Sequence, residues 1–184
     1  MKILVVVDMQ HDFIDGALGT PEARAIVPNV KKKVEESVTN GDFILYTRDT
    51  HYENYLDSEE GRKLPVEHCI KDTKGWMIPV ELFPDQCYDK WDTVDKFTFG
   101  EQRLPRYIRD WLVDECVPNE QVSEIELVGL CTDICVVSNA LILKSHFYDE
   151  IEISVDATCC AGVTPATHEA ALKTMEMCQI NVRR

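Results

Sequence analysis

Three chemically capable side chains, Asp8, Lys96 and Cys135, each lie at or just after the end of a predicted β-strand. In an open parallel sheet the carboxyl ends of neighbouring strands lie side by side, so residues that are distant in sequence meet there. A carboxylate can accept the proton of a thiol, an ammonium group stabilises the thiolate, and the thiolate attacks acyl carbons. This combination favours a cysteine nucleophile that acts on an acyl compound.

The segment GLCTDICV, residues 129–136, places Cys135 where a strand leads into a helix. Thr132 and Asp133 are residue types that cap helices, so we expect Cys135 in the first helical turn. Free N–H groups and the helix dipole there predict a lowered thiol pKa. The N–H groups of Cys131 and Cys135 are candidates for binding an oxyanion. A cysteine that only packs in the core is the alternative interpretation.

A second group of residues could bind a metal ion. Asp49 and His51 are two positions apart in an extended segment, so their side chains point the same way. His68 supplies a second imidazole, and such a set leaves coordination positions open, as in catalytic metal sites. Surface residues without a metal are the alternative interpretation. Further candidate ligands are His11, Glu59, Glu60, Glu67 and Cys69.

Strands and helices that would position these residues alternate along the chain. Predicted strands cover residues 3–7, 43–47, 93–100, 125–128, 151–157 and 179–182, and predicted helices cover 25–38, 104–113, 136–144 and 167–175, with a short helical piece around 80–83. This alternation predicts an α/β, three-layer Rossmann-like fold: a mostly parallel, doubly wound sheet of about six strands with helices on both faces. We expect a single domain over residues 1–184.

Composition argues against several classes of protein. A formal charge of −14 disfavours nucleic acid or an anionic membrane as a partner. The first apolar run is too short for a signal peptide, and no segment is long and apolar enough to span a membrane. We therefore expect a cytoplasmic protein whose eight cysteines are reduced. No Gly-rich phosphate loop follows the first strand, which disfavours a nucleotide-binding module.

The same residues occur together in a known family. Its members share the order and rough spacing of DMQHDF at 8–13, DTH at 49–51, HC at 68–69, Lys96 and GLCTDICV at 129–136. The chain resembles the isochorismatase-like cysteine hydrolases over essentially its whole length. The Asp-x-His segment with its later His-Cys pair is similar to the nicotinamidase/pyrazinamidase branch.

This resemblance implies a catalytic triad of Asp8, Lys96 and Cys135 that hydrolyses a small carboxamide through a thioester, with nicotinamide as the first candidate substrate. It also implies a cis peptide bond between Leu130 and Cys131, which shapes an oxyanion hole made by Cys131 and Cys135. Relatives in this family usually form homo-oligomers, so we expect one here.

The resemblance further implies a divalent metal ion on Asp49, His51 and His68, with zinc ahead of iron or manganese. Some relatives add a glutamate ligand between the two histidines. Glu60 has a more suitable separation from His51 than Glu59 has, and Glu59 is the alternative.

Two aromatic residues, Phe13 and Trp91, are candidates for a wall that stacks on a flat substrate ring, with core packing as the alternative. After Lys96, familiar nicotinamidases continue with Gly, Ser and Ala before a Phe, whereas this chain has the bulkier, shorter segment KFTFG. The pocket wall is therefore expected to differ. An N-carbamoyl or ureido substrate is one alternative, and a metal or thiol-redox protein without enzymatic activity is another.

Overall fold

The computed structural model describes residues 1–85 and 88–184, and within these ranges six strands form one sheet. The strands are β1 (Lys2–Val7), β2 (Phe43–Asp49), β3 (Trp91–Lys96), β4 (Glu124–Leu130), β5 (Glu152–Ala161) and β6 (Asn181–Arg183). The helices are α1 (His11–Ile14), α2 (Pro21–Asn40), α3 (Glu59–Lys63), α4 (Leu104–Asp114), α5 (Val137–Phe147) and α6 (Pro165–Met177). Shorter 3₁₀ segments cover Tyr55–Asp57, Val80–Leu82 and Asn119–Gln121, and a π-helical turn covers Thr132–Val136.

The strand order is β3-β2-β1-β4-β5-β6, and every neighbouring pair is parallel. The chain winds outward from β1 in one direction and then from β4 in the other. The switch point between β1 and β4 is where open α/β sheets bind their ligands. The predicted doubly wound parallel sheet of six strands is confirmed.

Side chains that alternate along the strands build one apolar layer on each face of the sheet. In β1, Ile3, Val5 and Val7 contribute to the layer that contains residues of α4, α5 and α6. Leu4 and Val6 contribute to the opposite layer, which contains residues of α1 and α2. Because β1 is covered on both faces, it reads in the sequence as a continuous apolar run. The three-layer arrangement is therefore confirmed.

Three strands, β2, β4 and β5, extend further at their carboxyl ends than the sequence pattern predicts, and two of them show why. β2 continues through polar Arg48 to Asp49, and β5 continues four residues past Ala157 to Ala161. Pairing with a neighbouring strand sustains both extensions, since Asp49 pairs with Lys96 of β3 and Ala161 with Leu130 of β4. Tertiary pairing thus overrides local propensity at both ends.

Gly129, near the carboxyl end of β4, allows the switch point to form. Its φ is +116°, and a Cβ atom there would lie 2.1 Å from the carbonyl oxygen of Val7. Only glycine tolerates both the positive φ and this close approach to β1. Within the described ranges, none of the helices has both the length and the apolar character needed to cross a bilayer.

Candidate active site

Asp8, Lys96 and Cys135 lie together at the carboxyl end of the sheet. Asp8 follows β1, Lys96 is the last residue of β3, and Cys135 lies in the π-helical turn that follows β4. The Nζ atom of Lys96 is 2.7 Å from Oδ2 of Asp8 and 3.4 Å from Sγ of Cys135. All three residues are buried, with Lys96 and Asp8 fully so.

The backbone and one hydroxyl group hold the Asp8 side chain in place. Asp8 has φ +47°, a conformation that aspartate tolerates better than most residues. The hydroxyl of Thr47 on β2 donates a hydrogen bond of 2.7 Å to Oδ1 of Asp8. Within the described ranges, Oδ2 accepts no hydrogen bond of good geometry, although it faces the Lys96 ammonium. This oxygen therefore has capacity to accept a proton.

Burial is the largest single influence on the pKa of each of these three residues, although neighbouring charges reverse its effect on Lys96. It raises the pKa of the Asp8 carboxyl, and the charge of Lys96 only partly opposes that rise. Burial alone would lower the pKa of Lys96, but Asp8, Cys135 and Asp49 together hold it well above its ordinary value. The pKa of the Cys135 thiol is raised, first by burial and then by Asp8 and Asp49, against the opposing effect of Lys96. The lowered thiol pKa predicted from the helix dipole is therefore wrong.

The turn around Cys135 differs from the predicted helix start. Cys135 lies in a π-helical turn, and neither Thr132 nor Asp133 caps it. Thr132 Oγ1 lies 2.8 Å from Nδ1 of His168, and the Asp133 carboxylate accepts the N–H of Val163. Both side chains therefore connect the turn to the β5–α6 segment, and the capping prediction is wrong.

The peptide bond between Leu130 and Cys131 is cis, as the family resemblance implies. Cys131 accepts hydrogen bonds at its carbonyl from the N–H groups of Ile134 and Val136. Both Cys131 and Cys135 line the cavity described below. That their N–H groups form an oxyanion hole is still a prediction.

Asp49, His51, Glu60 and His68 form a second cluster beside Lys96. Each contributes a potential ligand atom, and these atoms lie within 4.8 Å of one another. His51 Nε2 is 3.1 Å from Asp49 Oδ2, and His68 Nε2 is 3.6 Å from Glu60 Oε1. Glu60 belongs to this cluster, whereas Glu59 is exposed and pairs with Lys63.

The donor set of this cluster fits a divalent transition metal. Nδ1 of His68 lies 2.8 Å from the Val66 carbonyl, which can only accept, so Nδ1 carries the hydrogen and Nε2 is free to bind a metal. Burial raises the pKa of Glu60 and Asp49 raises it further, because two carboxylates are held close together. A bound cation would relieve the repulsion between the two carboxylates. Two imidazoles and two carboxylates are a ligand set that suits zinc, iron or manganese.

Asp49 links the two clusters. Its Oδ1 is 3.1 Å from Lys96 Nζ, while its Oδ2 faces His51. Although burial alone would raise the pKa of Asp49, Lys96 and His51 lower it to about 2. Asp49 is therefore ionised at neutral pH, as a metal ligand must be.

Gln10 was not among the predicted site residues, yet it fixes the Asp49 backbone. Its Nε2 donates to the carbonyl oxygens of Asp49 and Trp76, each at 2.8 Å, and its Oε1 accepts the Asp49 N–H at 2.7 Å. The side chain is fully buried. Its only sequence signal is an amide residue two positions after Asp8, within the segment DMQHDF at 8–13.

Cys135 and the four residues of the metal cluster line one cavity of about 760 Å³, whereas Asp8 and Lys96 are fully buried and do not line it. Phe13 lines it and meets the His68 ring edge-to-face at 5.5 Å between ring centroids. Trp91 does not line it: it starts β3, roughly 16 Å of strand from Lys96 at about 3.3 Å per residue, and packs edge-on against Tyr46. The prediction that Trp91 forms the substrate wall is wrong, because it lies at the amino end of its strand.

The remaining candidate ligands lie outside the metal cluster. His11 pairs with Asp15, 3.1 Å away. Glu67 is exposed, and Cys69 is buried with its N–H donating to Asp12. None of the three belongs to the group of mutually close ligand atoms found in the described part of the chain.

Comparison with known sequences identifies the relatives of this chain. The isochorismatase domain family matches residues 2–183. The isochorismatase family protein PncA of Bacillus subtilis strain 168 is 30% identical over 143 residues, which is 76% of each chain. The nicotinamidase of Escherichia coli K12 is 24% identical over 200 residues, covering 96% of this chain and 90% of that enzyme.

Two solved structures share the fold over nearly their full length. The pyrazinamidase of Pyrococcus horikoshii in complex with zinc superposes with a TM-score of 0.81 and is 28% identical, covering 100% of this chain and 98% of its own. The N-carbamoylsarcosine amidase of Thermoplasma acidophilum gives a TM-score of 0.76 and is 26% identical, covering 100% of this chain and 96% of its own.

Proposed function

The chain belongs to the isochorismatase family and is an amidohydrolase, and we propose that it hydrolyses nicotinamide to nicotinate and ammonia with Cys135 as its nucleophile. The observation that carries the proposal is the position of the Cys135 thiol. It lies 3.4 Å from the Lys96 ammonium and lines the same cavity as the Asp49, His51, Glu60 and His68 cluster. Residues 1–184 act as one domain in this proposal.

In this proposal Asp8 is the first residue to act. Its carboxylate, held beside the Lys96 ammonium, takes the proton of the Cys135 thiol as the sulfur attacks the amide carbon. The Lys96 ammonium contacts both Asp8 and Cys135, so it balances the negative charge whether that charge is on oxygen or on sulfur.

Attack by sulfur moves the carbonyl electrons onto oxygen, where the N–H groups of Cys131 and Cys135 stabilise the negative charge. The tetrahedral adduct then collapses, the C–N bond breaks, and protonated Asp8 gives its proton to the leaving nitrogen. Ammonia departs and a Cys135 thioester remains. Asp8 next takes a proton from water, which attacks the thioester, and the thiol recovers that proton as the acid leaves.

Asp49, His51, Glu60 and His68 are the residues that would hold a divalent metal. Such a metal would supply Lewis-acid chemistry toward the ring nitrogen of the substrate. The chain itself fixes two points of the substrate, the amide carbon beside Cys135 and the ring beside Phe13, so orientation contributes to rate.

A second candidate substrate is an N-carbamoyl acid, favoured by the structural likeness to the N-carbamoylsarcosine amidase. Such a substrate carries a carboxylate that needs a cation. Among the described residues that line the cavity, Lys63 is the only lysine or arginine, and its Nζ lies 2.7 Å from the carboxylate of Glu59. The cavity lining thus sets one lysine against the carboxylates of Asp49, Glu59 and Glu60, which favours a neutral amide over an anionic one.

The direct test is ammonia release from nicotinamide by purified protein that has been chelated and then reloaded with Zn²⁺, Fe²⁺ or Mn²⁺. We expect turnover that chelation removes and at least one metal restores. The Cys135→Ala variant should lose turnover, whereas Cys178→Ala, which changes an exposed cysteine, should keep it.

Full activity of Cys135→Ala would overturn covalent catalysis at this residue. N-Carbamoylsarcosine should be assayed in parallel with nicotinamide. Turnover of the carbamoyl acid alone would replace nicotinamide by the second candidate.

A further inference from the structure

The outer part of the cavity is apolar and exposed, in contrast to its charged inner part. Four residues form this outer apolar wall: Leu64, Phe97, Phe99 and Val163, which are 37%, 49%, 47% and 52% exposed. They come from three separate segments, after α3, after β3 and before α6. Exposed large apolar side chains gathered around one opening indicate a binding surface.

The size of the cavity also exceeds what nicotinamide needs. A volume of about 760 Å³ falls in the range of sites that enclose drug-sized ligands. Nicotinamide has one six-membered ring and one amide group. Placed against Cys135 at the inner end, such a ring leaves the outer apolar wall without a partner.

We propose that the outer apolar wall binds an apolar substituent on a neutral heteroaromatic carboxamide, so that the preferred substrate is larger than nicotinamide. This inference rests on the proposed amidase function. Its occupant is neutral because, among the described residues that line the cavity, the single lysine, Lys63, faces three carboxylates, those of Asp49, Glu59 and Glu60. It is apolar because the wall offers hydrocarbon surface from Leu64, Phe97, Phe99 and Val163.

The position of the substituent follows from the two ends of the cavity. Cys135 and His68 are only 4% and 2% exposed, so the reacting groups of the substrate are at the inner end. With the amide at Cys135 and the ring nitrogen toward His68, ring carbon 2, between those groups, faces inward. Ring carbon 5 lies opposite carbon 2 and therefore faces the cavity mouth and the wall.

Within the outer apolar wall, the Phe97 side chain is held in place by Tyr52. Its ring stacks on Tyr52, with 6.0 Å between centroids and 12° between planes. A stacked aromatic side chain is pre-ordered, so binding against it costs little conformational entropy. The bulky segment after Lys96 thus gains a function: it places two phenyl rings where a substituent would emerge.

The experiment uses nicotinamide and its 5-methyl, 5-ethyl and 5-propyl derivatives as probes. We measure kcat/KM with metal-loaded enzyme, and Kd with the Cys135→Ala variant by calorimetry. Each buried methylene is expected to raise kcat/KM and lower Kd by about two- to four-fold. In the Phe97→Ala/Phe99→Ala double variant the ratio between the propyl compound and nicotinamide should fall toward one.

Tyr148→Ala is the matched control, because Tyr148 is an equally exposed aromatic residue, at 60%, that does not line the cavity. It should keep the full gradient. Turnover of nicotinamide with no gradient, or with an inverse one, would overturn this inference and leave the proposed function standing. No turnover and no binding of any of the four compounds would overturn both.

A different use of the wall would appear in sedimentation experiments. If the double variant changes the oligomeric state and leaves the substrate gradient intact, the four residues form a contact between copies of the chain, and the inference is wrong.

Discussion

Buried carboxylates occur in two regions of the same sheet, and their surroundings differ in the number of cations and in how far those cations are exposed to water. In the amino-terminal halves of β4 and β5, on the face covered by α2, the three carboxylates of Glu124, Glu126 and Asp156 meet three cations. We call this group, completed by Lys2, Lys33, Ser154 and Arg183, the Glu124 cluster. At the carboxyl end, Asp8 and Asp49 share the single ammonium of Lys96.

The pKa of Asp8 shifts in the opposite direction to the pKa values of Glu124 and Asp156. The pKa of Asp49, which also pairs with His51, is lowered like theirs. Burial opposes ionisation in both, but Lys33 and Thr158 lower the pKa of Asp156, and Lys2, Ser154 and Arg183 lower that of Glu124. At the carboxyl end burial raises the pKa of Asp8 despite Lys96.

The comparison indicates what distinguishes a structural charge cluster from a reactive one. In the Glu124 cluster three cations serve three carboxylates: Lys33 is shared by Glu126 and Asp156, and Arg183 by Glu124 and Glu126. The Lys2 and Arg183 side chains remain 41% exposed, so water shares the charge. At the carboxyl end the charges are buried, and one ammonium serves both Asp8 and Asp49. This incomplete compensation supports the proton transfer proposed for Asp8.

The largest expected effect is on activity, and it should appear when a carboxylate is removed from the carboxyl end but not when one is removed from the Glu124 cluster. Asp8→Asn keeps the side-chain shape and tolerates the positive φ, but it removes the proton acceptor. We expect kcat/KM for the amide substrate to fall about 10²- to 10⁴-fold. Asp156→Asn, its counterpart in the Glu124 cluster, should leave kcat/KM within about three-fold, since the Asp156 carboxylate pairs with Lys33 and Thr158 and not with Lys96.

Ammonia release near neutral pH measures both variants, and circular dichroism checks that each is folded. A folded Asp8→Asn protein with more than about a tenth of the wild-type kcat/KM would remove general-base catalysis from Asp8, since that role implies a larger loss.

The next largest effect is on the free energy of unfolding, which should fall more when a cation is removed from the carboxyl end than when one is removed from the Glu124 cluster. Lys96→Met leaves Asp8 and Asp49 buried without their cation and should lower the free energy of unfolding by about 3–5 kcal/mol. Arg183→Met removes a half-exposed cation whose partners keep Lys2, Lys33 and water, so its cost should be about 1 kcal/mol. Urea unfolding of chelated protein measures both. Equal losses would mean that sharing one cation is no more critical than having several.

The convergence of Asp8, Lys96 and Cys135 could be predicted from sequence because it depends on topology. Alternating apolar runs and helices predict a parallel sheet, and a parallel sheet brings the carboxyl ends of its strands together. Asp49, His51 and His68 of the metal cluster were predictable from residue type and from the two-residue spacing of Asp49 and His51, whereas Glu60 was preferred only because of the family resemblance. The homo-oligomer expected from family resemblance stays a prediction.

Other features depend on distances that no spacing rule provides. The raised pKa of the Cys135 thiol comes from its burial and from the nearness of Asp8 and Asp49, against the opposing charge of Lys96. Trp91 has a suitable side chain, but its place at the start of β3 depends on where the strand begins. Gln10 acts through three hydrogen bonds to residues that are 39 and 66 positions away.

The smallest expected effect is a difference in the sign of pH dependence. Because the folded-state pKa of Glu124 is lowered, its unfolded form binds the proton more tightly. Its contribution to stability is therefore present above the unfolded pKa and is lost as pH falls through the folded pKa. For Asp8, whose folded-state pKa is raised, the contribution is present below the unfolded pKa and is lost as pH rises through the folded pKa.

Unfolding free energies of chelated protein between acidic and neutral pH measure both signs. Relative to wild type, Glu124→Gln should lose less stability on acidification, by about 1 kcal/mol or less. Asp8→Asn should lose less stability as pH rises, because it lacks the buried carboxyl that resists ionisation. Glu53→Gln, at an exposed position, controls for a simple change of net charge. If both test variants shift the profile in the same direction, the two regions do not compensate their buried charges differently, and the reactive character of Asp8 must come from the bound metal or substrate instead.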